Sequence, residues 1–302
     1  MIHTNILSLI GKTPILKINK LVTKNDANIL TKLEEYNIGG SVKDRMALFL
    51  IKDAEKRGLL KKDKTLIEAS SGNTGIAMAM IAAVLGYKIS IIIPESVSIE
   101  RRKLIKAYGA ELILSPGEKG TAGAVDFKNE MILKEPNKYL DLDQFKNPAN
   151  IEAHYRTTGN EIIEQTDGKI DMVIVGIGTA GTGVGISRRL KEYNSKIKII
   201  AIMPKLGTPI QGLRNPKELN PTQLYDANVF DEIIEIPKEL MPEIYVVARD
   251  LAKKEGILVG MSSATAMYIA IQKAKELGKG KNIVVILPDG GEKYLSTSLF
   301  EE

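Results

Sequence analysis

Short runs of β-branched residues alternate with longer stretches of helical periodicity almost from end to end of this chain, and that alternation is what most restricts its fold. Runs at 28–33, 65–69, 88–93, 111–115, 172–175, 197–202 and 282–287 read as strands. The segments 43–56, 74–85, 99–108, 182–192, 239–254 and 265–277 carry apolar residues at helical spacing. This order is the pattern of βα units feeding a mostly parallel sheet flanked by helices, an α/β fold. The turn-rich Asn147-Pro148-Ala149-Asn150 separates two such series and marks the expected seam between two lobes facing across a cleft. In open α/β sheets, ligands collect at the carboxyl ends of strands, so chemistry is expected in the loops that follow them.

Composition removes several classes of chemistry. With no cysteine and two histidines, His3 and His154, the chain has no thiolate nucleophile, no disulfide and no basis for a zinc cluster, so no metal site is expected. Catalysis must then rest on lysine, a carboxylate or a cofactor. The 42 basic and 37 acidic residues are spread along the chain without the basic stripe of a nucleic-acid binder. The longest uncharged apolar stretch, 76–85, falls well short of the ~20 residues of a membrane span. The opening MIHTNILSLIGKTPIL lacks the plan of a signal peptide, so a cytoplasmic location is expected.

Four loops are chemically unusual. Lys43 stands where a helix is expected to begin, a position electrostatically poor for a cation; that field and partial burial would lower its pKa and leave an amine usable for a Schiff base. Glu68-Ala69-Ser70-Ser71-Gly72-Asn73-Thr74-Gly75 runs from a strand straight into a helix, and its hydroxyls, amide and helix start make an anion pocket suited to an amino-acid carboxylate. Gly176-Ile177-Gly178-Thr179-Ala180-Gly181-Thr182-Gly183 can cradle a phosphate. It also matches the dinucleotide pattern GxGxxG, but the strand about 20 residues on ends in Met203-Pro204-Lys205 rather than an acid, which favours a monophosphate. Gly260-Met261-Ser262-Ser263-Ala264-Thr265 places hydroxyls at another helix start.

In order, GKTPIL, GGSVKDR, SSGNTG, SIERRKLIKAYGA, QFKNPAN, GIGTAGTG, GMSSATA and ILPDGGEKYLST cover almost the whole chain. Together they resemble the cysteine synthase and cystathionine β-synthase family of pyridoxal-phosphate (PLP) enzymes. The resemblance implies the two-lobed fold type II, like the tryptophan synthase β-subunit, each lobe a mostly parallel twisted sheet flanked by helices. A smaller lobe would span 35–146, with a mobile part at about 89–133; residues 1–34 and 147–302 would form the larger lobe.

By the same resemblance, Lys43 forms the Schiff base with PLP and acts as the catalytic base. Asn73 meets the cofactor's ring hydroxyl, Gly178, Thr179, Ala180, Gly181 and Thr182 hold its phosphate, and Ser262 faces its pyridine nitrogen. Ser70, Ser71, Thr74 and Gln144 hold the substrate carboxylate. The implied reaction is β-replacement through an aminoacrylate, foremost O-acetyl-L-serine plus sulfide giving L-cysteine and acetate. A homodimer is implied, and serine acetyltransferase is a candidate partner.

Two departures matter. Ala180 stands where the family usually has glycine, with little effect expected. The segment after Gln211-Gly212, Leu213-Arg214-Asn215-Pro216-Lys217-Glu218-Leu219-Asn220-Pro221, is charged and proline-stiffened where the family is glycine-rich. If it borders the cleft, Glu218 or Asp226 is positioned to activate a nucleophile. This keeps open a reaction with L-cysteine as donor, releasing sulfide and adding water or a thiol to give serine, lanthionine or cystathionine. Outside this class stands an NAD-dependent dehydrogenase, which rests on the glycines of 176–181 alone.

Overall fold

The computed structural model describes residues 2–61, 63–70, 72–218 and 221–301. Its strands, numbered along the chain, are β1 Ile15–Lys17, β2 Asn28–Leu33, β3 Thr65–Ala69, β4 Lys88–Pro94, β5 Glu111–Ser115, β6 Tyr139–Asp141, β7 Met172–Gly176, β8 Lys198–Pro204, β9 Glu232–Ile236 and β10 Asn282–Leu287. The helices are α1 Lys43–Lys56, α2 Asn73–Leu85, α3 Ile99–Ala107, α4 Gly120–Lys134, α5 Ala149–Ala153, α6 Gly159–Gln165, α7 Gly181–Tyr193, α8 Met241–Asp250 and α9 Met261–Leu277. A π turn at His154–Thr158 joins α5 to α6, and another at Leu251–Glu255 extends α8. Among the described residues, no helix is long and apolar enough to cross a membrane.

The strands form two sheets. One has the order β1-β2-β10-β7-β8-β9, with β1 antiparallel to β2 and every other pair parallel; the other runs β5-β4-β3-β6, parallel throughout. The expected α/β fold with parallel sheets and flanking helices is the one observed. All seven expected strands are present, β4 and β8 each reaching the proline one or two residues further. The weak periodicity of β1, β6 and β9, and of α4 to α6, did not announce these elements. Two of those strands are three residues long, and β9, Glu-Ile-Ile-Glu-Ile on a sheet edge, breaks strict alternation at its paired isoleucines.

Parallel strands covered on both faces need apolar residues in unbroken runs. Alternate side chains of β7, Ile174 and Val173, fall into separate cores on opposite faces of the six-stranded sheet. A third core joins α1 and α2 to the four-stranded sheet. Helix α2 is apolar all round because it is buried all round, from Thr74 through Ala82. It stops at Gly86, which takes the left-handed conformation (φ 76°) that an apolar β-carbon would resist.

Helix α1 is fastened by charge as well as by packing. Arg45, wholly buried, meets Glu34 through Nε–Oε2 at 2.7 Å and Nη2–Oε1 at 2.9 Å, and Glu161 of α6 through Nη1–Oε1 at 2.6 Å and Nη2–Oε2 at 2.7 Å. Lys32 of β2 adds a bond to Glu161 at 2.8 Å. Burial alone would raise the Glu161 carboxyl, but Arg45 and then Lys32 outweigh it and hold it at about 2. That lowered value makes the cluster's contribution complete above the ordinary carboxylate range and lost as pH falls toward 2. Glu161→Gln is therefore expected to cost about 3 kcal/mol at pH 7, measured by urea unfolding. The gap to wild type should narrow as pH falls from about 4.5 toward 2; a gap independent of pH would remove Glu161 from this role.

Candidate active site

The carboxyl ends of β3, β7 and β10 converge on one cavity of about 280 Å³, near the lower end of the roughly 300–1,000 Å³ of small-molecule sites. Lys43, Ser70, Asn73, Thr74, Gln144, Gly178, Thr179, Ala180, Thr182, Glu218 and Ser262 all line it. Four loops distant in sequence thus surround one space. Gly181 begins α7 just behind the wall, and Ser71 lies outside the described residues.

Lys43 is the first residue of α1. The loop before it is stitched to the loop after β10 by Val42 N to Pro288 O at 2.8 Å and by a bridge between Ser41 and Asp289. Half-buried against the cavity, its ammonium has no hydrogen-bond or ion-pair partner among the described residues. Burial lowers its pKa, while the charges of Asp289 and then Glu34 pull the other way. The outcome matches the sequence expectation of a depressed lysine; the leading cause is desolvation.

The loop after β3 turns through Gly72 (φ 139°), where the backbone passes so close to Arg101 that a β-carbon would lie 2.2 Å from Arg101 Cδ. Ser70 Oγ accepts the N–H groups of Gly72 at 2.9 Å and Gly75 at 3.2 Å, which leaves its own hydroxyl hydrogen to donate. Thr74 Oγ1 donates to Gln144 Oε1 at 2.8 Å. Asn73 is held from both sides, its Nδ2 donating to Asp289 Oδ2 at 2.7 Å and its Oδ1 accepting from Lys293 Nζ at 3.2 Å.

The glycine-rich loop is braced from outside the cavity. Asn150 Nδ2 donates to Thr179 Oγ1 at 3.0 Å and to Gln144 O at 2.8 Å, so Thr179 keeps a hydroxyl hydrogen for a ligand. Thr222 Oγ1 ties Thr179 O at 2.7 Å. Thr182 Oγ1 lies 3.1 Å from Nε2 of His154, whose pKa burial drives down to about 3, so the imidazole is neutral. Ala180 sits at φ 72°, in the left-handed region that favours glycine. This gives the family's usual glycine a physical reason, and Ala180 carries the strain.

Ser262, second residue of α9, is 3% exposed, and its hydroxyl has no hydrogen-bond partner among the described residues. An unpaired amine, an unpaired buried hydroxyl and a donor loop at the start of α7 share one cavity; these residues fit a phosphorylated pyridine aldehyde.

The atypical segment is not displaced. Leu213, Arg214 and Glu218 line the cavity. Arg214 N donates to Ile177 O at 2.8 Å, its Nε meets Glu218 Oε2 at 3.3 Å, and its guanidinium lies 5.2 Å from the Phe145 ring centre. Asp226, the other acidic candidate, is elsewhere: it pairs with Arg188 at 3.3 Å and caps a turn through Asn228 N. Its place beside Glu218 in the expectation came from nearness in sequence, and the chain between them leads it away.

Residues 6–289 match the family profile described as pyridoxal-phosphate dependent enzyme. Cysteine synthase of Aquifex aeolicus is 46% identical, over 98% of this chain and 92% of that protein. The crystal structure of O-ureido-L-serine synthase superposes with a TM-score of 0.92 at 35% identity, covering 99% of this chain and 96% of that one. A hydrogen sulfide-producing enzyme from Fusobacterium nucleatum gives 0.89 at 39% identity, covering 97% and 100%. This chain belongs to the pyridoxal-phosphate-dependent enzymes and, within them, to the cysteine synthase family. The dehydrogenase alternative falls with that assignment.

A β-carbon on Gly181 would lie 2.0 Å from Asn150 Oδ1. Gly181→Ala must push Asn150 off both Thr179 and Gln144. The Kd for PLP, titrated by absorbance, is expected to rise about tenfold, or about 1.4 kcal/mol; an unchanged Kd would mean that the loop does not hold the cofactor.

Proposed function

We propose that the chain exchanges the β-substituent of an amino acid, with O-acetyl-L-serine and sulfide as substrates and L-cysteine and acetate as products. The observation that carries this reading is Lys43, an unpaired lysine with a lowered pKa, facing the anion pocket of Ser70, Thr74 and Gln144 across one cavity. When bound, PLP supplies a sink for the electron pair left at the substrate's α-carbon.

The protein's own part is positional. Lys43 would hold the cofactor's aldehyde carbon and, once displaced by the substrate amine, take the α-proton and return it to product. Gly178, Thr179, Ala180, Gly181 and Thr182 would carry the phosphate, Asn73 would meet the ring hydroxyl, and Ser262 the ring nitrogen. A neutral hydroxyl there leaves that nitrogen largely unprotonated, which favours departure of the β-substituent over a long-lived carbanion. Ser70, Ser71 and Thr74 would receive the carboxylate, with Gln144 beside them.

The same reading has the 35–146 lobe close on the substrate, its part at about 89–133 moving most and excluding water. Lys119, Thr121 and Ala122 bring that part to the cavity wall. Arg101 to Gln211 at 2.8 Å and Ser98 to the Lys293 carbonyl at 3.1 Å are contacts it would have to shift. A cytoplasmic homodimer and docking of serine acetyltransferase complete the proposal.

Two observations favour a second reading, with cysteine as donor, sulfide as leaving group, and water or a thiol as nucleophile. Arg214 and Glu218 put charge on the cavity wall, and the Fusobacterium neighbour is described as producing hydrogen sulfide. In that reading Glu218, on the cavity wall, would be the carboxylate that activates water; Asp226 would act only if its segment moved.

Lys43→Ala is expected to lower turnover by about 10³-fold or more while PLP still binds through the phosphate loop; near wild-type turnover would refute the assignment. The two readings separate in paired assays of cysteine formed from O-acetylserine and sulfide, and sulfide released from cysteine alone. If the second holds, Glu218→Gln loses serine formation selectively while sulfide release persists. Unchanged product ratios would leave Glu218 as wall.

A further inference from the structure

Behind the proposed carboxylate pocket lies a carboxyl group that the proposed mechanism does not use. Glu68 of β3 is 1% exposed. Its Oε1 accepts from Ala69 N at 2.9 Å and from Gln144 Nε2 at 3.2 Å, while its Oε2 is buried with no partner. Gln144 Nε2 also donates to Ala69 O at 3.3 Å. A carbonyl oxygen can only accept, so the nitrogen of the Gln144 amide must face Ala69 and Glu68, and its oxygen must face Thr74.

That orientation has a consequence for binding. Both N–H groups of Gln144 are engaged away from the cavity, and the Thr74 hydroxyl hydrogen is engaged by Gln144 Oε1. Ser70 can donate as it stands, but to gain a donor from Gln144 or Thr74 as well, a substrate carboxylate must take an N–H from Glu68 or Ala69, or the hydroxyl hydrogen from Gln144. We infer that Glu68 is a positioning residue for the amino-acid substrate, holding the Gln144 amide in a resting orientation against which the substrate carboxylate competes. The inference rests on the reading of Ser70, Thr74 and Gln144 as the carboxylate pocket.

The hold depends on charge. An ionised Glu68 grips the amide through a charge-assisted bond and repels an arriving carboxylate; a neutral one holds it only by an ordinary, weaker hydrogen bond and does not repel. Burial raises the Glu68 carboxyl to about 8, with Lys128 of α4 opposing and Asp141 of β6 and Asp143 beyond it reinforcing. Lys128 itself is committed to Asp141 at 2.5 Å. Glu68 is thus mostly neutral at pH 7 and ionises as pH rises through 8, so carboxylate affinity falls on that alkaline limb.

The test measures the calorimetric Kd of propionate, ionised throughout, for the PLP-loaded enzyme from pH 6.5 to 9.5. In wild type the Kd is expected to rise about tenfold between pH 7 and 9. In Glu68→Gln, which keeps an acceptor for Gln144 but cannot ionise, the rise should disappear; other titrating groups are common to both proteins and cancel in the comparison. Lys128→Met supplies a second arm. By removing the cation that lowers the Glu68 carboxyl, it should move the limb to higher pH. Equal pH dependence in wild type and Glu68→Gln, or an unmoved limb in Lys128→Met, overturns the role of Glu68 while leaving the pocket intact. No propionate binding at any pH overturns the pocket as well.

Discussion

Everything at the cavity depends on where α1 starts, and that is decided by the buried charge cluster around Arg45. A guanidinium with no exposure can persist only if its donors meet carboxylates in good geometry, since an uncompensated buried charge costs several kcal/mol. Glu34 after β2 and Glu161 of α6 meet that demand from opposite sides. Glu34 takes two donors side by side, a bidentate geometry that fixes orientation as well as distance. Lys43 lies two residues before Arg45, so the cluster sets how the lysine enters the cavity. Cores of Ile, Val and Ala could hold the helix against the sheet without specifying its rotation; the ion cluster does.

The cavity also needs its loops brought to one place, and parallel topology does that. In a βα unit every strand ends at the same edge of its sheet. β10 lies between β2 and β7, so the loop carrying Asp289 emerges beside both the Lys43 turn and the phosphate loop. Asp289 then serves as a hub: its side chain takes Asn73 Nδ2 and the Tyr294 hydroxyl, and its carbonyl takes Gly260 N and Ser263 Oγ. Asn73, Lys43 and α9 are thereby referenced to one residue.

Fold class and the loops with chemistry were legible because their signals are local. A β-branched run, a helix start and a cluster of Gly, Ser and Thr each span fewer than about ten residues. The bracing side chains were not legible, because their meaning is purely spatial. Asn150 and Asp289 lie in the motifs QFKNPAN and ILPDGGEKYLST, but nothing in those motifs tells what they brace; His154 and Thr222 occupy ordinary sequence contexts, and only the packing of α5 and the π turn against α7 brings His154 to Thr182. Glu68 stands two residues before SSGNTG, yet what distinguishes it is Gln144, 76 positions further along the chain. Asp226 shows the converse, because nearness to Glu218 along the chain did not become nearness in space. Ala180 marks a third case. Its methyl was visible in the sequence, but the positive φ that makes the methyl costly belongs to the folded loop.

The walls of the cavity divide the chemistry unevenly. The side built by β3, α1 and α9 is referenced to buried hydrogen bonds and charge pairs, and Lys43, Asn73, Ser70, Thr74 and Ser262 stand there, with the phosphate loop beside them at the start of α7. Another part of the lining comes from residues 213–218, tied down by Arg214 N to Ile177 O and Asn215 Nδ2 to Pro204 O, so its backbone is fixed while Arg214 and Glu218 present charge. In the proposed reading, groups common to any amino-acid donor would fall on the first side, and the leaving group and the nucleophile would meet the 213–218 segment. A change of substrate pair within this architecture therefore requires no change in the lysine, the phosphate loop or their bracing. The charged, proline-stiffened form of one short segment is where such a change would be written.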